Sequence, residues 1–196
     1  MIRVGITGGI GSGKSTVCKV FELLNVPVYY SDLEAKLILE TDPGVLQALN
    51  KTFGPAVLDA KKKPDRKKIA AVVFSDKKKL EELNAIIHPA VGKHFEEWCK
   101  KNADAPFILK EAAILFESGA YRQVDKVIMV TAPLELKIAR IMKRDRLSKE
   151  EIEKRINSQL SDEEKAERSD FVIRNDETVL LTPQILEVHR KLAAHK

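Results

Sequence analysis

Gly8-Gly9-Ile10-Gly11-Ser12-Gly13-Lys14-Ser15 is the stretch from which the rest of the chain can be read. Gly8 and Gly13 enclose four residues and are followed by a lysine and a hydroxyl residue, the spacing of a phosphate-binding loop. Glycines permit the tight turn and close backbone approach that bring N–H groups to phosphate oxygens. In such a loop Lys14 bridges the outer phosphates and Ser15 offers its hydroxyl to magnesium. The flanks supply the context: Ile2–Thr7 reads as a buried strand and residues 16–24 as a helix. A strand, a glycine turn and a helix N-terminus together make an anion site.

Outward from the loop, 196 residues are enough for one well-buried core with a small inserted subdomain. Hydrophobic content of 44% and charged content of 32% are those of an ordinary globular protein. No apolar run reaches membrane-spanning length, and the first strand begins at once, leaving no room for a leader; a cytoplasmic protein with no membrane partner is expected. The formal charge of +5 fits a protein that holds two phosphorylated ligands. Lys61-Lys62-Lys63 and Lys77-Lys78-Lys79 read as solvated faces, without the interleaved aromatics of a stacking platform, so nucleic acid is not an expected partner. Cys18 and Cys99 lack metal-ligand spacing, and Cys18 reads as a small packing residue of the first helix.

Residues 26–30 form a second expected strand, ending at Ser31-Asp32. Asp32 therefore falls on the rim where open parallel sheets bind ligands, either as the N-cap of a helix over 33–40 or as a catalytic or metal-associated carboxylate. From about 41 to 102 the pattern is helical, longer than a crossover requires, and Pro89 should break or kink the helix that carries it. Phe107–Glu111 is the third strand. An acidic residue at such a strand end holds magnesium in many phosphate-loop proteins, which makes Glu111 the better candidate and Glu117 the weaker, beside ordinary capping roles. Lys126–Thr131 is the fourth strand. The helix after Pro133 carries Lys137, Arg140, Lys143 and Arg144, with Arg140 and Arg144 one turn apart, and 148–167 is polar. A basic helical hairpin leaving the ligand edge reads as a lid that closes on phosphates. Residues 171–173 are the fifth strand, 174–176 its exit loop, and 182–195 a final helix. The expected fold is α/β: a P-loop kinase-type parallel five-stranded sheet with helices on both faces. Its core takes about 1–40, 103–132 and 169–196, its helical insertion about 41–102 and its lid about 133–168.

The glycine loop alone selects no reaction. The chain has no Asn-Lys-x-Asp sequence to read guanine, and its length leaves little room for the coupling domains of a motor. A compact chain with a lid and an insertion fits a small-molecule kinase. The ordered motifs go further and resemble the dephospho-coenzyme A kinase family nearly end to end. They begin with Val4-Gly5-Ile6-Thr7 running into the loop, then Ser31-Asp32 with Ala35-Lys36, Asp65-Arg66 with Val73-Phe74, and Leu83-Asn84 with His88-Pro89. They end with Ile114-Leu115-Phe116-Glu117-Ser118-Gly119, Arg140 with Arg144-Asp145, and Asp170-Phe171-Val172-Ile173-Arg174-Asn175. Three positions depart from the family pattern: Tyr30 stands at the first Asp of an Asp-Ala-Asp segment, Lys36 at an Arg, and Ala113 at a Pro.

The resemblance implies transfer of the ATP γ-phosphate to the 3′-hydroxyl of dephospho-coenzyme A. Asp32 would serve as base, and Lys14, magnesium, Arg140 and Arg144 would stabilise the transferring group. It implies an ATP site of Gly8, Gly11, Ser12, Gly13, Lys14, Ser15, Thr16, Arg140 and Asn175, an acceptor site of Asp32, Arg66 and His88, and magnesium at Ser15 and Glu111. The expected assembly is a monomer or weak homo-oligomer. A kinase for another small acceptor, such as a nucleoside monophosphate, and a nucleotide-binding regulatory ATPase are the alternatives.

Overall fold

The computed structural model describes residues 1–61, 63–74, 76–145 and 147–194, with Phe74 as backbone alone. Lys62, Arg146 and His195, which entered the readings of the lysine run, the lid and the last helix, lie outside the described residues. Five strands, β1 (Ile2–Thr7), β2 (Val28–Tyr30), β3 (Phe107–Glu111), β4 (Lys126–Thr131) and β5 (Phe171–Arg174), form one sheet in the order β2-β3-β1-β4-β5. Every pairing is parallel. Their near-continuous apolar runs suit a sheet covered on both faces, and β3 is buried at all five positions.

Alternation along β1 decides what lies on each face. Val4 and Ile6 join Phe107, Leu109, Ile128 and Ile173 in a core shared with α1 (Lys14–Leu23) and α9 (Leu181–Ala193), through Val17, Phe21, Ile185 and Leu192. Gly5 points the other way, where any side chain would collide with Leu115, so the segment after β3 lies directly on the strand. Cys18 is fully buried, and burial pushes its thiol far above the usual range, as befits a packing residue.

The chain divides into two compact units, 1–30 with 102–196, and 31–101. The second is helical: α2 (Ser31–Thr41), α3 (Pro43–Phe53), α4 (Arg66–Phe74) and α5 (Lys77–Lys101). It has its own core of Ile38, Val45, Leu49, Ile69 and Leu83. Of the break or kink expected from the sequence, Pro89 makes no break in α5; the helix runs through it. A proline removes one N–H rung, but Leu83, Ile86 and Ile87 before it and Ala90 and Val91 after it pack against the same core, which holds both halves in helical register.

In the first unit, α6 (Leu134–Asp145) is followed by α7 (Lys149–Asn157) and α8 (Asp162–Glu167). Both short helices open on a capping box, Ser148 with Glu151 and Ser161 with Glu164. At the β5 edge the Gln184 side chain behaves like a strand peptide: its Oε1 accepts from Arg174 N and its Nε2 donates to Arg174 O, each at 2.9 Å.

Candidate active site

β1 is flanked by β3 and β4, so the loop leaving its carboxyl end stands where the chain order switches direction, the ligand edge of a doubly wound sheet. The glycines of that loop are required by their surroundings. Gly8 has φ +152°, and a Cβ there would lie 2.1 Å from Val130 O; Gly11 has φ +81°, with Lys137 O at 2.7 Å; Gly13 has φ +94°, with Asn175 Nδ2 at 2.1 Å. Asn175 is the clamp. Its N donates to Thr131 O at 2.8 Å and its Nδ2 to Ser12 O at 2.8 Å, which ties the end of β5 to the glycine loop. Gly13 opens α1 without a side-chain cap, leaving the helix N-terminus to an anion.

Within the loop, Lys14 is buried and its Nζ donates to Gly8 O at 2.8 Å. Ser12 Oγ is buried without a hydrogen-bond partner, an orphan of the kind a ligand satisfies. Ser15 and Thr16 are exposed in the first turn of α1. Glu111 ends β3, is 9% exposed and lies in register with Ile6 of β1 and Tyr30 of β2. Burial pushes the Tyr30 hydroxyl above the phenol range, and neighbouring Cys18, Glu22 and Glu111 push it further, so Tyr30 stays protonated and is no stand-in for the carboxylate that the sequence resemblance led one to expect there.

The segments after β4 supply the charged rim. Arg140 Nη2 donates to Asn175 O at 3.1 Å and to Glu177 Oε1 at 3.0 Å. Arg144, one turn on, is exposed and makes a bidentate pair with Asp145 at 2.7 and 2.8 Å. Glu117, the weaker magnesium candidate, accepts from Leu160 N at 2.9 Å and pairs with Lys165 Nζ at 3.1 Å. Burial pushes its carboxyl up, but its hydrogen bonds from backbone N–H groups and the adjacent Lys165 ammonium outweigh that and hold it below the usual range. Four residues outside the expected set also stand here, Gln159, Asp162, Thr131 and Lys137. Gln159 Oε1 accepts from Ile10 N at 3.2 Å, and Asp162 Oδ2 accepts from Thr131 Oγ1 at 2.8 Å and from Lys137 Nζ at 2.9 Å. A cleft of about 800 Å³, lined by Gly9, Thr131, Lys137, Gln159, Asp162 and Arg174 among others, opens beside them.

The remaining expected residues belong to the helical unit. Asp32 is exposed and is the second residue of α2, in its first turn. Arg66 opens α4, and its Nη2 pairs with Glu40 Oε1 at 2.9 Å, both side chains about half exposed. His88 is exposed on α5. A cavity of about 600 Å³ within this unit is lined by Ile38, Val45, Ile86, Pro89 and His94 among others, but by none of these three.

The family model for dephospho-CoA kinase matches residues 2–180. A dephospho-CoA kinase of Bacteroides fragilis is 46% identical over 187 residues, covering 95% of this chain and 91% of that one. Two solved structures share the fold over nearly the whole chain. TT1252 from Thermus thermophilus has a TM-score of 0.87 at 34% identity, covering 97% of this chain and 96% of that one. A dephospho-CoA kinase from Campylobacter jejuni has a TM-score of 0.73 at 31% identity with the same coverage. A sheet, a glycine loop and a basic rim are common to many kinases, but a match over nearly the whole chain is specific, and by it the chain belongs to the dephospho-CoA kinase family.

Proposed function

We propose that the chain transfers the γ-phosphoryl group of ATP in line to the 3′-hydroxyl of dephospho-CoA, with Asp32 taking the hydroxyl proton. Family membership carries the reaction class, phosphorylation of dephospho-CoA with ATP as co-substrate. The observation that carries the donor half is the clamped glycine loop, in which the buried Lys14 ammonium rests on the Gly8 carbonyl. Phosphate oxygens are stronger acceptors for that ammonium than a neutral carbonyl. Gly11, Gly13, Ser15 and Thr16 supply backbone N–H groups, Ser12 a hydroxyl, and Asn175 keeps the loop in shape. Residues 133–168 act as the lid, in which Arg140 and Arg144 neutralise charge on the transferring group.

The acceptor oxygen bonds to the γ-phosphorus as the bond to the bridging oxygen breaks and ADP departs. Such a transfer asks for a positioned base within hydrogen-bond reach more than for a reactive nucleophile. Asp32, two positions beyond the end of β2 and freely exposed, has the chemistry for it. The helical residues 41–102 bind the acceptor, with Arg66 and His88 as contacts. The exposed Arg66–Glu40 pair is weak enough to yield to a phosphate.

Magnesium fits the donor set. Among the described residues no three His, Cys, Asp or Glu side chains gather to hold a metal. A cation that takes one or two protein oxygens and completes its shell with phosphate and water needs no such group. The Ser15 hydroxyl and the Glu111 carboxylate are the oxygens that would hold it. When bound, the ion neutralises phosphate charge.

A coupled assay comparing dephospho-CoA, AMP, CMP and no acceptor tests the whole reading. Consumption of ATP is expected only with dephospho-CoA, and turnover of AMP or CMP at equal rate would sink it. Asp32→Asn should keep ATP affinity within about twofold while turnover falls by about a hundredfold or more; turnover near wild type would remove Asp32 as the base.

A further inference from the structure

Lys137 and Asp162 converge on the start of the glycine loop. A Cβ built at Gly9 would lie 3.1 Å from Asp162 Oδ1 and 3.3 Å from Lys137 Nζ. The Lys137 side chain is only 7% exposed and that of Asp162 19%. Lys14 Nζ lies on the carbonyls of Gly8 and Gly9, at 2.8 and 3.4 Å. Two ammonium groups and one carboxylate therefore bracket a single dipeptide of the phosphate-binding loop.

A buried ion pair is a poor source of stability, because desolvation offsets most of its attraction and an apolar side chain of the same volume often does as well. A buried lysine at this place gains more from a ligand than from the fold. The carboxylate also has the right chemistry for a stand-in. Asp162 presents one oxygen to an ammonium and a hydroxyl, while Gln159 Oε1 accepts from the loop N–H of Ile10. These are the partners that phosphate oxygens take from lysines, hydroxyls and backbone amides.

We propose that Lys137 is a second phosphate-binding lysine of the donor site. Asp162 is its counter-ion in the nucleotide-free protein, exchanged for an oxygen of the terminal phosphate when a nucleoside triphosphate binds. The proposal deepens the ATP-dependent reading and rests on it. A phosphate carries more charge and more acceptor oxygens than one carboxylate, so it wins the ammonium. Asp162 retains the Thr131 hydroxyl when it gives up Lys137.

The test compares ATP with ADP, which lacks the terminal phosphate, by calorimetric titration in the presence of magnesium and without acceptor. Lys137→Met should weaken ATP binding by about tenfold and leave ADP binding within about twofold. Asp162→Asn should tighten ATP by about threefold, because a competing anion is gone, and leave ADP unchanged. In steady state with dephospho-CoA, Lys137→Met should lower kcat by about tenfold to a hundredfold, and Lys137→Arg should recover most of it. Equal weakening of ATP and ADP in Lys137→Met, or weaker ATP binding in Asp162→Asn, would overturn the proposal. If thermal melting shows that Lys137→Met does not fold, Asp162→Asn and Lys137→Arg decide alone, and unchanged ATP affinity in Asp162→Asn then overturns it. A wild type that prefers ATP to ADP but leaves dephospho-CoA unphosphorylated refutes the acceptor reading, while the Lys137 contrast still stands or falls on its own.

Discussion

Gly13 shows how much one residue of the donor site is asked to do. It begins α1 with φ +94°, and its missing side chain is the space taken by the Asn175 amide that reaches Ser12 O. A Cβ at 2.1 Å from Asn175 Nδ2 cannot be accommodated without moving the clamp, and a left-handed alanine costs about 1–2 kcal/mol besides. Gly13→Ala should therefore lower the melting temperature by several degrees and weaken ATP binding by more than about tenfold, read by thermal melting and titration. Arg140 supports the same clamp from the other side. By donating to Asn175 O and, at 3.4 Å, to Asn175 Oδ1, it fits the amide orientation in which Nδ2 faces Ser12. The arginine proposed to meet phosphate thus already supports the clamp on the glycine loop.

At the scale of elements, the region after β4 is tied to the rest of its unit by Glu117. This carboxylate caps Leu160 N and pairs with Lys165, a lysine with no exposed surface. Its carboxyl is held below the ordinary glutamate value of 4.5. The linked stability is therefore fully present above about pH 4.5 and is lost as pH falls through the lower folded value. Chemical denaturation from pH 7 to pH 3 should show Glu117→Gln less stable at neutral pH, with the gap to wild type closing in acid. Removing one partner of such a buried pair costs about 3–5 kcal/mol at the upper end. Pro89→Ala tests a different element: restoring one N–H to a helix that already runs through residue 89 should raise stability by about 1 kcal/mol or more, seen as a higher melting temperature. These elements also mark the limits of sequence reading. The five strands and the glycine loop were legible because apolar runs and glycine spacing are local signals. The continuity of α5 was not, since the core that overrides Pro89 is assembled from three other helices. The boxes Ser148–Glu151 and Ser161–Glu164 carry a local S-x-x-E signature, so the starts of α7 and α8 are legible in the sequence as well. Lys137 was visible only as one charge among four on its helix. Its partner lies 25 residues away, and no periodicity brings Asp162 to it.

Across the whole molecule there are two separate cores, and under the proposed function they divide the labour. The sheet unit buries Val4, Phe21, Phe107 and Ile128 beneath the glycine loop, and the helical unit buries Leu49 and Leu83 among its own helices. A fault in one core should leave the chemistry of the other readable. Leu49→Ala, at a position with no exposed surface, should cost about 2–5 kcal/mol by denaturant titration. It should leave ATP affinity unchanged and raise KM for dephospho-CoA; an equal loss of ATP binding would contradict this division. Among the described residues no helix is long and apolar enough to cross a membrane. The sheet ends at β5, a strand of four residues whose Val172 is 43% exposed. An open parallel edge is a template on which another extended chain can grow. The amide of Gln184, fastened to both polar groups of Arg174, occupies one rung of that edge, so a side chain closes part of the lattice that the backbone leaves unfinished. Truncating it to alanine frees that rung and should appear first as concentration-dependent turbidity, before any loss of activity.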